Sequence, residues 1–188
     1  VAVPKLESAA AVDAVSVALA GAGHHDLAIV AGLETVAGVV DARTITPHPR
    51  VRWCYFGAED YVADLGGVRT SGNTEVATAR AQIGQAARLG DVQAGDMVGA
   101  DFGDDDRCRR EAAEARARGF AGKLRIHPAQ VPLADEAFRP TEAELAWARE
   151  VDDAYREAVA RGDAAISVRG EMVDEPVARR ARTLLAAG

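Results

Sequence analysis

The chain has 188 residues, 48% hydrophobic and 27% charged, with a net charge of -7. That acidic balance excludes a nucleic-acid-binding surface, which needs clustered positive charge. Two cysteines without CxxC spacing exclude a disulfide framework and a zinc site, and no basic-then-apolar leader or long apolar span points to a membrane. The expectation is a cytoplasmic protein whose Cys54, inside Trp53-Cys54-Tyr55-Phe56, is a buried, reduced thiol.

In chain order, short apolar runs alternate with amphipathic stretches. Strands are predicted at residues 1–3, 27–33, 51–56, 96–100 and 123–126. Helical patterns follow at residues 8–20, at Val36, Val39 and Val40, at residues 74–89 and 104–118, and in a short stretch after His127-Pro128. An acidic turn follows Gly57. Runs with continuous rather than alternating hydrophobicity suit a parallel sheet buried on both faces. Five βα units give an α/β protein, either an open sheet or part of a (β/α)8 barrel, which needs about 250 residues. The start at Val1, inside an apolar run, suggests that three units precede it. Residues 1–139 form the βα portion. In residues 140–188, Thr141-Glu-Ala-Glu144 reads as a capping box opening a long helix, residues 165–168 as one strand, and Pro176 as the start of a last helix.

Glu34 and Asp60 each follow a strand, so a parallel barrel projects both from one rim. Two carboxylates there suit Mg²⁺, which favours oxygen ligands and keeps waters. The alternative is that they serve the starts of the following helices. Asp101, Asp104, Asp105 and Asp106 read as helix-start chemistry with Arg107, Arg109 and Arg110 as countercharge, and Asp96 as structural. His24, His25 and His48 fall in loops at the opposite end of the barrel. Trp147 reads as packing.

The segments VPKLES, GLETVAG, FGAEDYVADLG, GFAGKLRIHPAQV, FRPTEAELAWAR and GEMVDEP follow one another across nearly the whole chain. Together they resemble the citrate lyase β-subunit family, which includes malyl-CoA and citramalyl-CoA lyases within the HpcH/HpaI aldolases. The resemblance implies a (β/α)8 TIM barrel seen from about its fourth strand, with residues 140–188 as a lid and oligomerisation extension. It implies Mg²⁺ (or Mn²⁺) on Glu34 and Asp60, and a 2-oxo acid carboxylate on Gly57, Ala58, Glu59 and Asp60. Asp174 would be the acid/base, in a lid acting on a neighbouring subunit of a trimer or hexamer. The cap of the last helix is its other reading.

Lys5, His127 and Pro128 would contact the CoA thioester substrate. Lys5 could instead form a buried rim ion pair with Glu7, or act as a Schiff-base lysine. His127 could instead anchor its own loop. The implied activity is carbon–carbon lysis of a 3-hydroxyacyl-CoA to an acyl-CoA and a 2-oxo acid. The alternatives are a citrate lyase β subunit acting on a carrier-protein thioester, and a non-catalytic metabolite-binding homologue. An enolate-stabilising Arg and the nucleotide-binding residues are expected before Val1. Arg69 does not match that motif.

Overall fold

Parallel pairing joins β1 (Ala2–Val3), β2 (Ile29–Leu33), β3 (Val51–Phe56), β4 (Gln93–Asp96) and β5 (Gly122–Lys123) into one sheet in sequence order. A doubly wound sheet would reverse direction at a switch point, whereas uninterrupted order is how a barrel wall grows. The computed structural model describes residues 1–99 and 103–188, in two compact units, Val1–Phe138 and Arg139–Gly188.

The first unit carries α1 (Ala9–Gly21), α2 (Val36–Val40), α3 (Ala42–Ile45), α4 (Ala58–Leu65), α5 (Ala77–Leu89), α6 (Asp105–Ala117) and α7 (Val131–Phe138). Its core sets Ala31, Leu33, Cys54, Phe56 and Ala94 of the strands with Val39, Ile45, Val62, Ile83 and Ala86 of the helices. Burial pushes the Cys54 thiol up to about 12, which leaves it an inert packing group. On the other sheet face, glycines make room for aromatic rings. A Cβ at Gly95 would lie 2.7 Å from Cζ3 of Trp53, and one at Gly122 would lie 3.5 Å from Cη2.

That exchange explains two strand corrections. The fourth strand is not residues 96–100 but Gln93–Asp96, and the fifth is Gly122–Lys123 rather than residues 123–126. Apolar content marked Met97-Val98 and Leu124-Arg125-Ile126, whereas the pairing residues include glycines whose bare α-carbons admit the Trp53 ring. The Leu124 amide still donates to Asp96 O at 2.9 Å. The second strand starts at Ile29, and Leu27 is exposed. The predicted acidic turn after Gly57 is the eight-residue helix α4. Ala100 and Asp101 lie outside the described residues.

In the second unit Thr141 forms the capping box with Glu144 and opens α8 (Glu142–Arg161). β6 (Ile166–Val168) and β7 (Glu171–Val173) form an antiparallel hairpin where one strand was expected, and α9 (Glu175–Ala187) follows. Arg169 and Gly170 both take positive φ, 53° and 83°, as a two-residue hairpin turn requires. Arginine is not a usual turn signal, and this is why the second strand was missed. Ala148, Val151 and Tyr155 pack with Val168, Val173, Ala178 and Ala181, while Trp147 stacks under Arg180 at 4.9 Å. Among the described residues, no helix is long and apolar enough to cross a membrane.

Candidate active site

Glu34 follows β2 and is buried, 7% exposed, against the start of α4. Its place depends on Gly57, where a Cβ would lie 2.5 Å from Glu34 Cγ and 2.9 Å from Oε1. Glycine serves here by its missing side chain, since φ is an ordinary -99°. The loop carrying Glu34 is held on both sides. Thr35 caps α2 through the Gly38 amide at 3.1 Å, and Asp64 of α4 accepts from the Val36 amide at 2.8 Å.

Asp60 stands in the first turn of α4 and pairs with Lys5 at 2.9 Å, both half-exposed. Lys5 therefore joins Asp60, not Glu7, and the expected buried pair is an exposed one. The hydrogen bond and charge of Asp60, with the charges of Glu34 and Asp64, raise the Lys5 ammonium above its ordinary value. A Schiff-base lysine needs the opposite shift. Burial pushes the Tyr55 phenol up, and the charges of Glu34 and Asp60 act in the same direction. Two carboxylates thus converge where one ammonium and one phenol meet them.

Helix α4 has no side-chain cap at Gly57, whereas Ser8, Thr35, Asp104, Thr141 and Asp174 cap α1, α2, α6, α8 and α9. The α4 start, like those of α3 and α5, thus lacks a side-chain acceptor for its first amides, at the positive end of the helix dipole. Arg69 braces this start, with Nε on Glu59 at 2.9 Å, Nη2 on Asn73 at 3.0 Å, and Nη1 on Glu75. Burial opposes ionisation of Glu75, but the Thr70 hydroxyl, backbone amides and Arg69 hold its pKa down to about 2.

Among the described residues, no three His, Cys, Asp or Glu side chains cluster to hold a metal. Two carboxylates with water and substrate oxygens are nevertheless a sufficient donor set for Mg²⁺. Glu34, packed against the bare Gly57, and Asp60, in the first turn of the helix that Gly57 opens, are the oxygens that would hold such an ion.

Elsewhere, His127 accepts from the Ala129 amide at 3.2 Å through Nδ1 and caps the turn Pro128–Gln130. Asp174 takes extended backbone and accepts from the Val177 amide at 3.3 Å, as the cap of α9. Asp104 caps α6, with Asp105 and Asp106 in its first turn. Arg109 reaches Asp106 at 3.3 Å, while Arg107 turns to Glu111 at 3.0 Å. Asp96 is fully buried on Arg80, with Nε at 3.1 Å and Nη2 at 2.5 Å. His48 bonds Asp13, and His24 and His25 present carbonyls to Arg50.

Sequence reasoning missed Tyr55, hidden in a run taken as uniformly buried. Period two would have set Tyr55 with Trp53 and Gly57 on the site face. It also missed Lys123, buried on the Met97 carbonyl at 2.6 Å and Glu111 at 3.2 Å.

Residues 1–128 match the family model described as HpcH/HpaI aldolase/citrate lyase. The chain belongs to this family. It is 52% identical over 185 residues to the "Citrate lyase subunit beta-like protein" of Deinococcus radiodurans, covering 98% of the chain and 65% of that protein. It is 33% identical over 162 residues to the mitochondrial citramalyl-CoA lyase of Mus musculus, covering 81% of the chain and 48% of that enzyme. The chain thus spans about half to two thirds of the length of these family members. Among solved structures, it superposes with a TM-score of 0.83 and 34% identity on protein CitE from Mycobacterium tuberculosis. That complex contains magnesium, acetoacetate and coenzyme A, and the match covers 99% of this chain and 67% of CitE.

Proposed function

We propose that this chain carries the metal, oxo-acid and lid elements of a Mg²⁺-dependent carbon–carbon lyase. Its substrate class is a 3-hydroxyacyl-CoA such as malyl-CoA or citramalyl-CoA, split into an acyl-CoA and a 2-oxo acid. The observation that carries this reading is buried Glu34 packed against Gly57, the residue that opens α4, with Asp60 in the first turn of that helix. The magnesium and coenzyme A named for the M. tuberculosis CitE complex support it.

Glu34 and Asp60 would hold the ion, Mg²⁺ or Mn²⁺, which when bound supplies Lewis-acid stabilisation of charge on the oxo-acid oxygen. The Ala58, Glu59 and Asp60 amides receive the oxo-acid carboxylate. The carbinol hydroxyl loses its proton to solvent and becomes the oxo group as the carbinol carbon's bond to the thioester α-carbon breaks, and that electron pair passes into the thioester enolate. Asp174 delivers a proton to the α-carbon as the lid closes over a neighbouring subunit of a trimer or hexamer. Lys5, His127 and Pro128 contact the CoA thioester.

A coupled assay on the intact protein should detect acetyl-CoA or propionyl-CoA release, lost in EDTA and in Glu34→Ala and Asp60→Ala. Full activity in EDTA sinks the lyase reading. Mixing Asp174→Ala with Asp60→Ala should restore part of the rate. No recovery despite subunit exchange counts against the shared site. A citrate lyase β subunit would turn over only a carrier-protein thioester. A non-catalytic homologue would bind a 2-oxo acid tightly with no turnover of any thioester.

A further inference from the structure

Arg69 follows α4 in sequence but returns to its beginning. Gly66 ends the helix with a φ of 75°, and the Gly66 and Gly67 amides donate to the Ala63 and Val62 carbonyls at 3.2 and 3.0 Å. The chain then folds back, and the Arg69 Nε bonds Glu59, in the first turn of α4, at 2.9 Å. Nη2 reaches Asn73 Oδ1 at 3.0 Å and the Met97 sulfur at 3.8 Å, and Nη1 reaches Glu75. Asn73 and Glu75 precede α5, and Met97 directly follows β4. One guanidinium thus ties the opening of α4 to the start of the next helix and to the end of a strand.

The loop between the two helices closes without Glu59. Glu75 accepts from the Thr70 amide at 3.3 Å and from the Thr70 hydroxyl at 2.5 Å, and Asn73 takes a left-handed φ of 55°. What the Nε contact adds is a hold on α4, whose opening Gly57 has no side chain to cap it. Uncapped helix ends fray, and Asp60 stands in this first turn. An exposed ion pair is worth little by itself, and the Glu59 side chain is 63% exposed. Arg69, however, is 23% exposed, and Glu75 and Asn73 already fix its plane, so the third contact orders little more of the side chain.

We propose that Arg69 is a positioning residue for the divalent-ion site, its guanidinium holding the first turn of α4 so that Asp60 stands where the ion binds. This rests on the assignment of Glu34 and Asp60 as metal ligands. The test is a Mn²⁺ titration of the intact protein, followed by the loss of the free-ion EPR signal, at a temperature well below every variant's melting midpoint. Arg69→Met should raise the Kd for Mn²⁺ about tenfold, the lower end for residues behind a metal ligand. Arg69→Lys should not restore it, because a point charge cannot serve Glu59, Glu75 and Asn73 together. Glu59→Ala should also weaken binding, and adding it to Arg69→Met should weaken it no further, since both remove one contact. Thr70→Val is the control: it removes a loop bond but none of those Arg69 makes, and should leave the Kd unchanged.

Unchanged Kd in Arg69→Met, with binding lost in Asp60→Asn, overturns the role of Arg69 and leaves the metal site standing. Where Arg69→Met fails to fold, unchanged Kd in Glu59→Ala overturns it alike. Equal weakening in Thr70→Val also overturns it, because a loosened loop would then suffice. Wild-type affinity in both Glu34→Gln and Asp60→Asn, or no binding by wild type, overturns the metal assignment and this proposal with it.

Discussion

Two regions of the βα unit bury charge, and they treat it differently. Behind β4 and β5, Arg80 spends both edges of its guanidinium on Asp96 and Glu114, and Lys123 joins Glu111 to the Met97 carbonyl. Burial works to lower the Lys123 ammonium, and Glu111 and Asp96 answer with compensating charge. At the rim of β2 and β3, Glu34 is equally buried, yet among the described residues it has no ion pair. The α4 amides beside it lack a side-chain cap. A charge that the protein neutralises itself holds elements together, whereas one left without a countercharge is available to something that arrives. The difference separates scaffold from site.

Mutation can break that contrast. The largest expected effect is at Arg80→Ala, which leaves Asp96 buried without its partner and should cost about 3–5 kcal/mol in urea unfolding. Gly57→Ala should follow, at about 1–3 kcal/mol, because the new methyl meets Glu34. It should also weaken Mn²⁺ binding, which Arg80→Ala touches only through the fold. Asp174→Ala removes the α9 cap and should cost about 1 kcal/mol, while Asp174→Asn keeps the cap. If Asp174 moves the proton, turnover is lost in both; activity retained in Asp174→Asn would leave it a cap alone. Glu75 supplies the pH test. Its carboxyl titrates lower in the folded protein than in the unfolded chain, so its stabilisation is present above about 4.5 and lost as pH falls towards about 2. Chemical unfolding across that window should show the loss, and Arg69→Met should flatten it. Smallest is Glu34→Ala, which leaves no buried countercharge behind, so stability should move far less than in Arg80→Ala while Mn²⁺ binding disappears, the reverse of a scaffold charge.

Much of this contrast was legible in residue order. Asp96 read as structural because a carboxylate in a strand needs a partner, and Arg80 supplies it. Glu34 and Asp60 read as rim residues because parallel strands all end on one side. Tyr55 was not legible, because an apolar run shows hydrophobicity but not which of its rings turns to which face. The β6–β7 hairpin was equally hidden, its turn resting on an arginine with positive φ.

By itself the sequence determined the βα alternation, the capping box at Thr141 and the carboxylates placed after β2 and β3. These follow from short-range rules of propensity, capping and chain direction. The tertiary structure alone decided that Gly57 exists to admit Glu34, that Lys5 chooses Asp60 over Glu7, and that Gly32, Gly95 and Gly122 yield space to Tyr55 and Trp53. Those choices set side chains against partners dozens of residues away, and only the packed sheet brings them within ångströms.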